Sequence, residues 1–170
     1  TNAITVEGTV ALDGGDGGTE GLVIGQLNNI VNSSSGAGIQ IGSSNGTGAI
    51  TGTIKIQRNN IGVNSSGTAM GNRFNILGIT NASGADITIG TDGDGSSDSI
   101  EGNIIGSGTS NAISIPEADD LVIAGNKIGI NSSGTARANS GAGILVGTTS
   151  VGPNTVRIGS DNADANEINT

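Results

Sequence analysis

The sequence predicts an all-β solenoid of parallel strands, with little or no α-helix and about 22 residues per coil, in one domain that covers residues 1–170. Three observations predict this fold: short runs of alternating β-branched residues, a sequence block that occurs twice, and a near absence of large rings. The chain has 32 glycines, one Phe and no Trp or Tyr, while 33% of its residues are hydrophobic. A narrow column of stacked aliphatic side chains explains how such a composition can fold.

Short strands are predicted by runs in which aliphatic and polar residues alternate with a period of two. Gly, Asn and Ser bound these runs, and Gly interrupts nearly every window that is long enough for a helix. The runs are residues 39–41, 54–56, 87–89, 113–115, 144–146 and 156–158. Each run is only a few residues long, as expected for strands that turn sharply into the next side of a coil.

A block of fourteen residues occurs at 59–72 and again at 126–139, with ten identical positions at an offset of 67. A second pairing, with an offset of 74, relates residues 29–41 to residues 103–115. Such an offset is long for one supersecondary unit, whereas a third of it, about 22 residues, falls in the range of solenoid repeats. Successive coils are then expected to stack in parallel at about 4.8 Å.

Asparagine residues precede several of the aliphatic pairs. Asn and Gly tolerate the positive φ that sharp turns require. Asn side chains stacked at one turn of successive coils can also hydrogen-bond to one another along the column. We expect Asn29, Asn59, Asn103 and Asn126 to form such a ladder.

Three motifs occur in a constant order. Asn-x-Ile-Gly-x-Asn-Ser-Ser-Gly-Thr-Ala begins at Asn59 and Asn126, Ile-Gly-x-Asp begins at Ile89 and Ile158, and Ile-x-Gly-Asn begins at Ile100. In this order the chain resembles the right-handed parallel β-helix repeat family of bacterial secreted and surface proteins, over residues 21–170. The resemblance implies a right-handed, single-stranded parallel β-helix and an extracellular location, secreted or at the cell surface. It leaves the function open, because that family includes pectin-active enzymes, adhesins and passenger domains.

The charge and composition exclude several classes of function. Six basic residues face fifteen acidic ones, for a net charge of -9, and the basic residues are scattered singly. Nucleic acid is therefore not an expected partner, since phosphate backbones need clustered cations. No apolar run approaches the length of about 18 residues that a spanning helix needs, so membrane insertion is not expected. The absence of Cys and His removes disulfides, thiolate sites and the commonest general base.

The residues favour a non-catalytic structural or adhesive module, such as a stalk, adhesin or filament, and we assign no catalytic or cofactor-binding residue. A polysaccharide lyase or hydrolase is the alternative. Pectin-degrading hydrolases that share the resemblance have clustered Asp residues with a His, whereas this chain has Asp119 and Asp120 without any His. We expect this pair to lie in a solvated turn. Phe74 is the one ring that could stack on a sugar, but we expect it to pack in the core or at the end of a coil.

One acidic loop predicts a metal site. Asp92, Asp94, Asp98 and Glu101 place four carboxylates within ten residues, and hard oxygen ligands at this density suit Ca²⁺. The alternative is an exposed, variable loop. No cofactor other than this calcium is expected.

A solenoid presents open strand edges at both ends, which natural solenoids cover with a cap. Residues 1–6 carry no amphipathic cap, and the last motif is interrupted at Thr170. We therefore expect a segment of a longer solenoid or a subunit that stacks on further copies. The expected partners are the chain itself end to end, neighbouring solenoid coils, or surface glycans.

Overall fold

The computed structural model of the chain describes residues 2–6, 10–12, 22–25, 27–42, 48–78, 81–94, 97–147, 152–159 and 165–169. These residues form a parallel β-solenoid that is built from three sheets, and they confirm the predicted fold class. In chain order the elements are β1 Ile4–Val6, β2 Val10–Leu12, β3 Leu22–Ile24, β4 Asn29–Ile30, β5 Ala37–Ile41, β6 Ile50–Ile56, β7 Asn60–Ile61, β8 Phe74–Gly78, β9 Gly84–Gly90, α1 Asp98–Glu101, β10 Ile104–Ile105, β11 Ile113–Ile115, β12 Asp120–Ala124, β13 Lys127–Ile128, β14 Ile144–Val146, β15 Thr155–Ile158 and β16 Glu167–Ile168.

Each coil adds one strand to each of the three sheets. The first sheet has the order β1-β5-β8-β11-β14, and the second has the order β15-β12-β9-β6-β2, with β3 also paired to β6. The third sheet has the order β16-β13-β10-β7-β4. All six sequence-predicted strands lie within these sheets, because their alternating side chains point in turn to the core and to the outside.

The length of a coil varies with its loops. In the first sheet Ile39 pairs with Ile76, which is 37 residues on, whereas in the third sheet Ile104 pairs with Lys127, which is 23 residues on and close to the predicted coil size. The 67-residue repeat spans two coils, because Ile61 pairs with Ile105 and Ile105 with Ile128. Long loops follow β7 and β13, and a shorter one follows β10, so the sequence repeats once for every two coils.

Four aliphatic columns fill the interior, each with one residue from every coil. The columns are Ile4–Ile39–Ile76–Ile113–Ile144, Leu22–Ile54–Ile87–Leu121–Val156, Ile24–Ile56–Ile89–Ile123–Ile158 and Ile30–Ile61–Ile105–Ile128–Ile168. The residues of the three middle coils are at most 1% exposed, and each such side chain contributes about 2 kcal/mol by leaving water. Isoleucine fills these columns without aromatic residues because identical side chains stack in register.

Helix is confined, in the residues that the structure describes, to the single turn α1. Within that part of the chain, no helix has the length and apolar character needed to cross a membrane. The turn α1 lies in the loop of residues 91–103 between β9 and β10, where the predicted acidic residues are found.

Candidate functional site

Five asparagines stack at the turn between the second and third sheets and form a ladder along the solenoid. Asn28 Nδ2 donates to Asn59 Oδ1 at 3.1 Å, and Asn59 Nδ2 donates to Asn103 Oδ1 at 3.2 Å. Asn103 Nδ2 then donates to Asn126 Oδ1 at 2.9 Å, and Asn126 Nδ2 to Asn166 Oδ1 at 3.1 Å. All four side-chain bonds point in the same direction, from the N-terminal coil toward the C-terminal coil.

The ladder also binds the backbone of neighbouring coils. The amides Nδ2 of Asn59, Asn103, Asn126 and Asn166 donate to the carbonyls of Ile24, Ile56, Ile89 and Ile123, respectively, at 2.7–2.8 Å. Backbone amides of the ladder add bonds to the next Oδ1, as from Asn103 N to Asn126 Oδ1 at 3.1 Å. Buried polar groups are costly unless they are paired, and here both ends of each inner amide have partners.

Three of the four predicted ladder residues are confirmed, and the prediction for Asn29 is wrong. Asn29 lies on the outer face of the third sheet, where its Oδ1 accepts a bond from Asn60 Nδ2 at 3.2 Å. Its neighbour Asn28 occupies the turn instead, because alternation in β4 points Ile30 inward and Asn29 outward. The pattern Asn-x-Ile, which all five ladder positions share, would also have identified Asn166.

The loop between β9 and β10 brings three of the four predicted metal ligands together. Carboxylate oxygens of Asp92, Asp98 and Glu101 lie within 4.8 Å of one another, and we call these three residues the acidic cluster. Asp94 is exposed and outside the cluster, although its backbone amide donates to Asp92 Oδ1 at 3.2 Å. Thr91 Oγ1 donates to Asp98 Oδ1 at 3.1 Å and holds one of the carboxylates in place.

A single ammonium group faces the acidic cluster at short range. Lys55 Nζ lies 2.6 Å from Asp92 Oδ2, and this hydrogen bond raises the pKa of Lys55. Burial opposes ionisation of Asp92, but the bonds from Lys55 and from the Asp94 amide outweigh it, so the pKa of Asp92 is lowered. Burial, and then the nearby charge of Asp92, raises the pKa of Glu101. A second cationic side chain reaches the same place, since Arg157 Nη2 donates to the carbonyl oxygen of Asp92 at 3.4 Å. A hard cation bound to the three carboxylates would share them with these two side chains. Calcium binding stays a prediction.

Two separate depressions lie beside α1, and we call them together the groove. On one side a depression of about 200 Å³ is lined by Ile100, Ile104, Lys127 and Ser132, among others. On the other side a depression of about 190 Å³ includes Arg58 and Glu101. Aliphatic and hydroxyl groups beside single cations suit a polar ligand that also has apolar faces, such as a sugar ring.

The acidic pair at the second sheet is engaged by the next coil. Asn154 Nδ2 donates to Asp119 Oδ1 at 2.6 Å, and Thr155 Oγ1 donates to Asp120 Oδ1. These bonds hold the start of β15 beside the start of β12, which is a structural role. The ring of Phe74 is covered by the guanidinium of Arg73, whose carbon Cζ lies 5.3 Å from the ring centroid.

In comparisons with known proteins, no family model, no curated protein and no solved structure matches the chain. A proposal for its function therefore rests on the solenoid, the ladder, the acidic cluster and the groove.

Proposed function

We propose that the chain is a non-catalytic structural and adhesive module of an extracellular protein, secreted or exposed at the cell surface. The observation that carries this proposal is the continuous asparagine ladder, which runs through every coil beside four aliphatic columns. The asparagine side chains of the ladder form hydrogen bonds between successive coils. Such a column serves as a stiff spacer, because each coil contacts its neighbours alone and its length follows from the number of coils.

The ladder explains the stiffness that a spacer needs. Each buried amide bond contributes about 0.5–1.5 kcal/mol, and sliding one coil by a residue would break the bonds of its asparagine on both sides. A register slip would also turn the inner isoleucines outward, because side chains alternate between the two faces of a strand. The strands therefore have one favourable register.

The groove beside α1 supports the adhesive part of the proposal. The depression lined by Ile104 and Lys127 lies on the outer face of the third sheet, a rigid element, so the backbone of both residues has a fixed position, and Lys127 Nζ lies 3.6 Å from Glu167 Oε2. Binding sites built on strands hold their geometry better than sites built on loops. The ligand that fits this mixture of aliphatic, hydroxyl and single cationic groups is a surface glycan.

Binding to an array of surface glycans tests whether the chain is adhesive. Wild-type protein is expected to retain a subset of glycans, and Lys127→Ala is expected to weaken that binding without lowering the melting temperature. Arg73→Ala, which removes a cation away from the groove, is the matched control. Binding that is equal for both variants would contradict the groove as the binding site.

The extracellular location is tested on the source cells. Protease added to intact cells should remove the chain, or the chain should be found in the medium. A chain that is protected until the cells are lysed would overturn the location.

A carbohydrate-active function is the second candidate, and one observation favours it. Glu101, which lines the groove, has a raised pKa, as general acids often do. Incubation with uronate polymers and Ca²⁺, followed by detection of unsaturated product, separates the two candidates. The structural proposal predicts no product, whereas product that disappears in Glu101→Gln would establish the enzyme.

A further inference from the structure

One cationic side chain of the protein has no partner. Five of the six basic side chains form an ion pair, a hydrogen bond or a ring contact, and these are Lys55, Arg73, Lys127, Arg137 and Arg157. The sixth is Arg58, whose guanidinium has no hydrogen bond and no ion pair in the part of the chain that the structure describes. This is unusual in a protein in which fifteen acidic residues face six basic ones.

The side chain of Arg58 is half-buried and lines the depression of about 190 Å³ beside α1. Val23, which is 57% exposed, and Ser97 line the same depression. Its other charged group, Glu101, belongs to the acidic cluster, where Glu101 Oε2 accepts a bond from Asp92 N at 3.4 Å. The depression therefore offers the N–H donors of a guanidinium beside an aliphatic side chain and a hydroxyl group.

The backbone of Arg58 lies in the left-handed region, with a φ of 56°. Both neighbouring coils hold it there, because Arg58 N donates to Glu101 O at 2.8 Å and Arg58 O accepts from Leu27 N at 2.6 Å. Gly125, with a φ of 67°, takes the same place in a later coil, since both residues directly precede an asparagine of the ladder. This turn thus accepts glycine, which adopts a positive φ freely, whereas arginine is strained at this φ. Strain of this kind is characteristic of binding sites.

We propose that Arg58 is a ligand-contacting residue of the groove and that the glycan bound there carries an acidic group, a carboxylate or a sulfate. The inference rests on the proposed adhesive function and names the ligand class of the same site. A guanidinium is a planar fork of donors that binds two oxygens of one such group, while Val23 offers a contact for an apolar face of the sugar ring. The net charge of -9 opposes non-specific attraction of acidic glycans, so binding depends on this local contact.

Arg58→Gly separates a binding role from a structural one. The variant removes the guanidinium and relieves the strained φ, which offsets the greater freedom of glycine in the unfolded chain, so the denaturant midpoint should not fall. The Kd for an acidic glycan should rise at least about tenfold, because a charge-assisted contact is lost. Arg58→Lys, which keeps the charge but not the planar fork, should retain part of the affinity.

Leu27→Gly is the matched control. Leu27 also has a positive φ, of 65°, and also directly precedes an asparagine of the ladder, but it is not among the residues that line the depression. Its denaturant midpoint should likewise not fall, and its Kd for the glycan should equal that of the wild type.

The ligand is chosen on the array of surface glycans, as the acidic glycan that the wild type binds most tightly. Chemical reduction of its carboxylates to alcohols, or removal of its sulfates, identifies the group that Arg58 contacts. Loss of that group should lower the affinity of the wild type and should leave the affinity of Arg58→Gly unchanged.

Three results would overturn the inference while the proposed function stands. These are an array on which the wild type retains neutral glycans alone, an acidic glycan that Arg58→Gly binds as tightly as the wild type does, and a loss of binding in Arg58→Gly that comes with a lower midpoint than in Leu27→Gly. The last result would make Arg58 a structural residue. An array that retains no glycan at all would contradict the adhesive function itself, and this inference with it.

Discussion

Asn103→Ala removes the middle rung of the ladder, and its cost can be worked from the contacts. The side chain is 1% exposed and makes four hydrogen bonds. Its Nδ2 donates to Ile56 O at 2.7 Å and to Asn126 Oδ1 at 2.9 Å, and its Oδ1 accepts from Asn59 N at 3.0 Å and from Asn59 Nδ2 at 3.2 Å. Alanine can replace none of these bonds.

Two of the four groups that bond to the Asn103 side chain keep other hydrogen bonds in the variant. Asn59 Nδ2 keeps two carbonyl acceptors, and Asn126 Oδ1 keeps the backbone amide of residue 103. Asn59 N loses the partner that the side chain supplied, whereas Ile56 O loses one bond but lies in a strand that is paired with β9. At about 1–3 kcal/mol for the buried amide that is left unpaired and about 0.5–1.5 kcal/mol for the bond lost from Ile56 O, we expect a loss of about 1.5–4.5 kcal/mol in the free energy of unfolding.

The measurement is unfolding in denaturant followed by far-ultraviolet circular dichroism, since the chain has no Trp or Tyr for fluorescence. Asn29→Ala is the matched control, because the same change at an exposed position should cost less than about 0.5 kcal/mol. Asn103→Asp should be worse than Ala at neutral pH and should recover as the pH falls, because a protonated carboxyl can donate one bond. An Asn103→Ala variant as stable as Asn29→Ala would refute the structural role of the ladder.

Three further predictions concern a turn, an ion pair and the metal. Gly90→Ala should lower the free energy of unfolding by about 2–5 kcal/mol, because the φ of Gly90 is 93° and an added Cβ would lie 1.9 Å from Ala124 O. Gly134→Ala is the matched control, because Gly134 also has a positive φ, of 77°, but an added Cβ would have no atom within 4 Å. It should cost about 1–2 kcal/mol in the same denaturant unfolding measurement. Lys55→Met should cost about 1 kcal/mol at pH 7 by the same measurement. Ca²⁺ should raise the melting temperature of the wild type, and a chelator should reverse the rise, because a ligand of the native state stabilises it.

The ion pair has a predicted pH window. A lowered pKa of Asp92 means that the stabilisation is present above the ordinary Asp value of about 3.9 and is lost as the pH falls through the folded-state pKa. The raised pKa of Lys55 means that the stabilisation is present below about 10.4 and is lost only as the pH rises through the folded-state pKa. The difference between wild type and Lys55→Met should therefore vanish in acid.

Each of these predictions has a contradicting outcome. Equal costs for the two glycine variants would mean that the close approach to Ala124 O is relieved by movement. An Lys55→Met effect that is unchanged in acid would mean that the contact is not electrostatic. A melting temperature that changes with neither calcium nor chelator would contradict the metal site. Asp98→Asn, which neutralises one carboxylate of the acidic cluster, should abolish any calcium effect that is seen.

The strands could be predicted from sequence because their signals are local. Runs such as residues 87–89 alternate with a period of two, and glycines with positive φ, such as Gly90, end them. Parallel stacking also followed from the repeat, because similar blocks in register bury similar side chains. The repeat did not show how many coils it spans, since the loops between strands differ in length and the same offset fits two coils or three.

The functional features were predicted less completely. The Asn-x-Ile spacing and the alternation within the two-residue strand β4 both place Asn28 in the ladder, whereas Asn29 was predicted because it directly precedes an aliphatic pair. The four acidic residues of residues 92–101 look alike in sequence, whereas the loop turns Asp94 away and brings Lys55 from another coil to Asp92. That lysine is 37 residues away in the chain, so no local pattern could reveal it.

The amino-acid sequence by itself determined an all-β column of aliphatic rungs with asparagine at its corners, because side-chain alternation and turn preference act over a few neighbouring residues. Only the tertiary structure decided which asparagine amides donate to one another and which carboxylate meets a lysine. Those contacts join residues one coil apart. The lengths of the connections between strands set which residues lie above one another, and these lengths range from two residues between β12 and β13 to fifteen between β13 and β14.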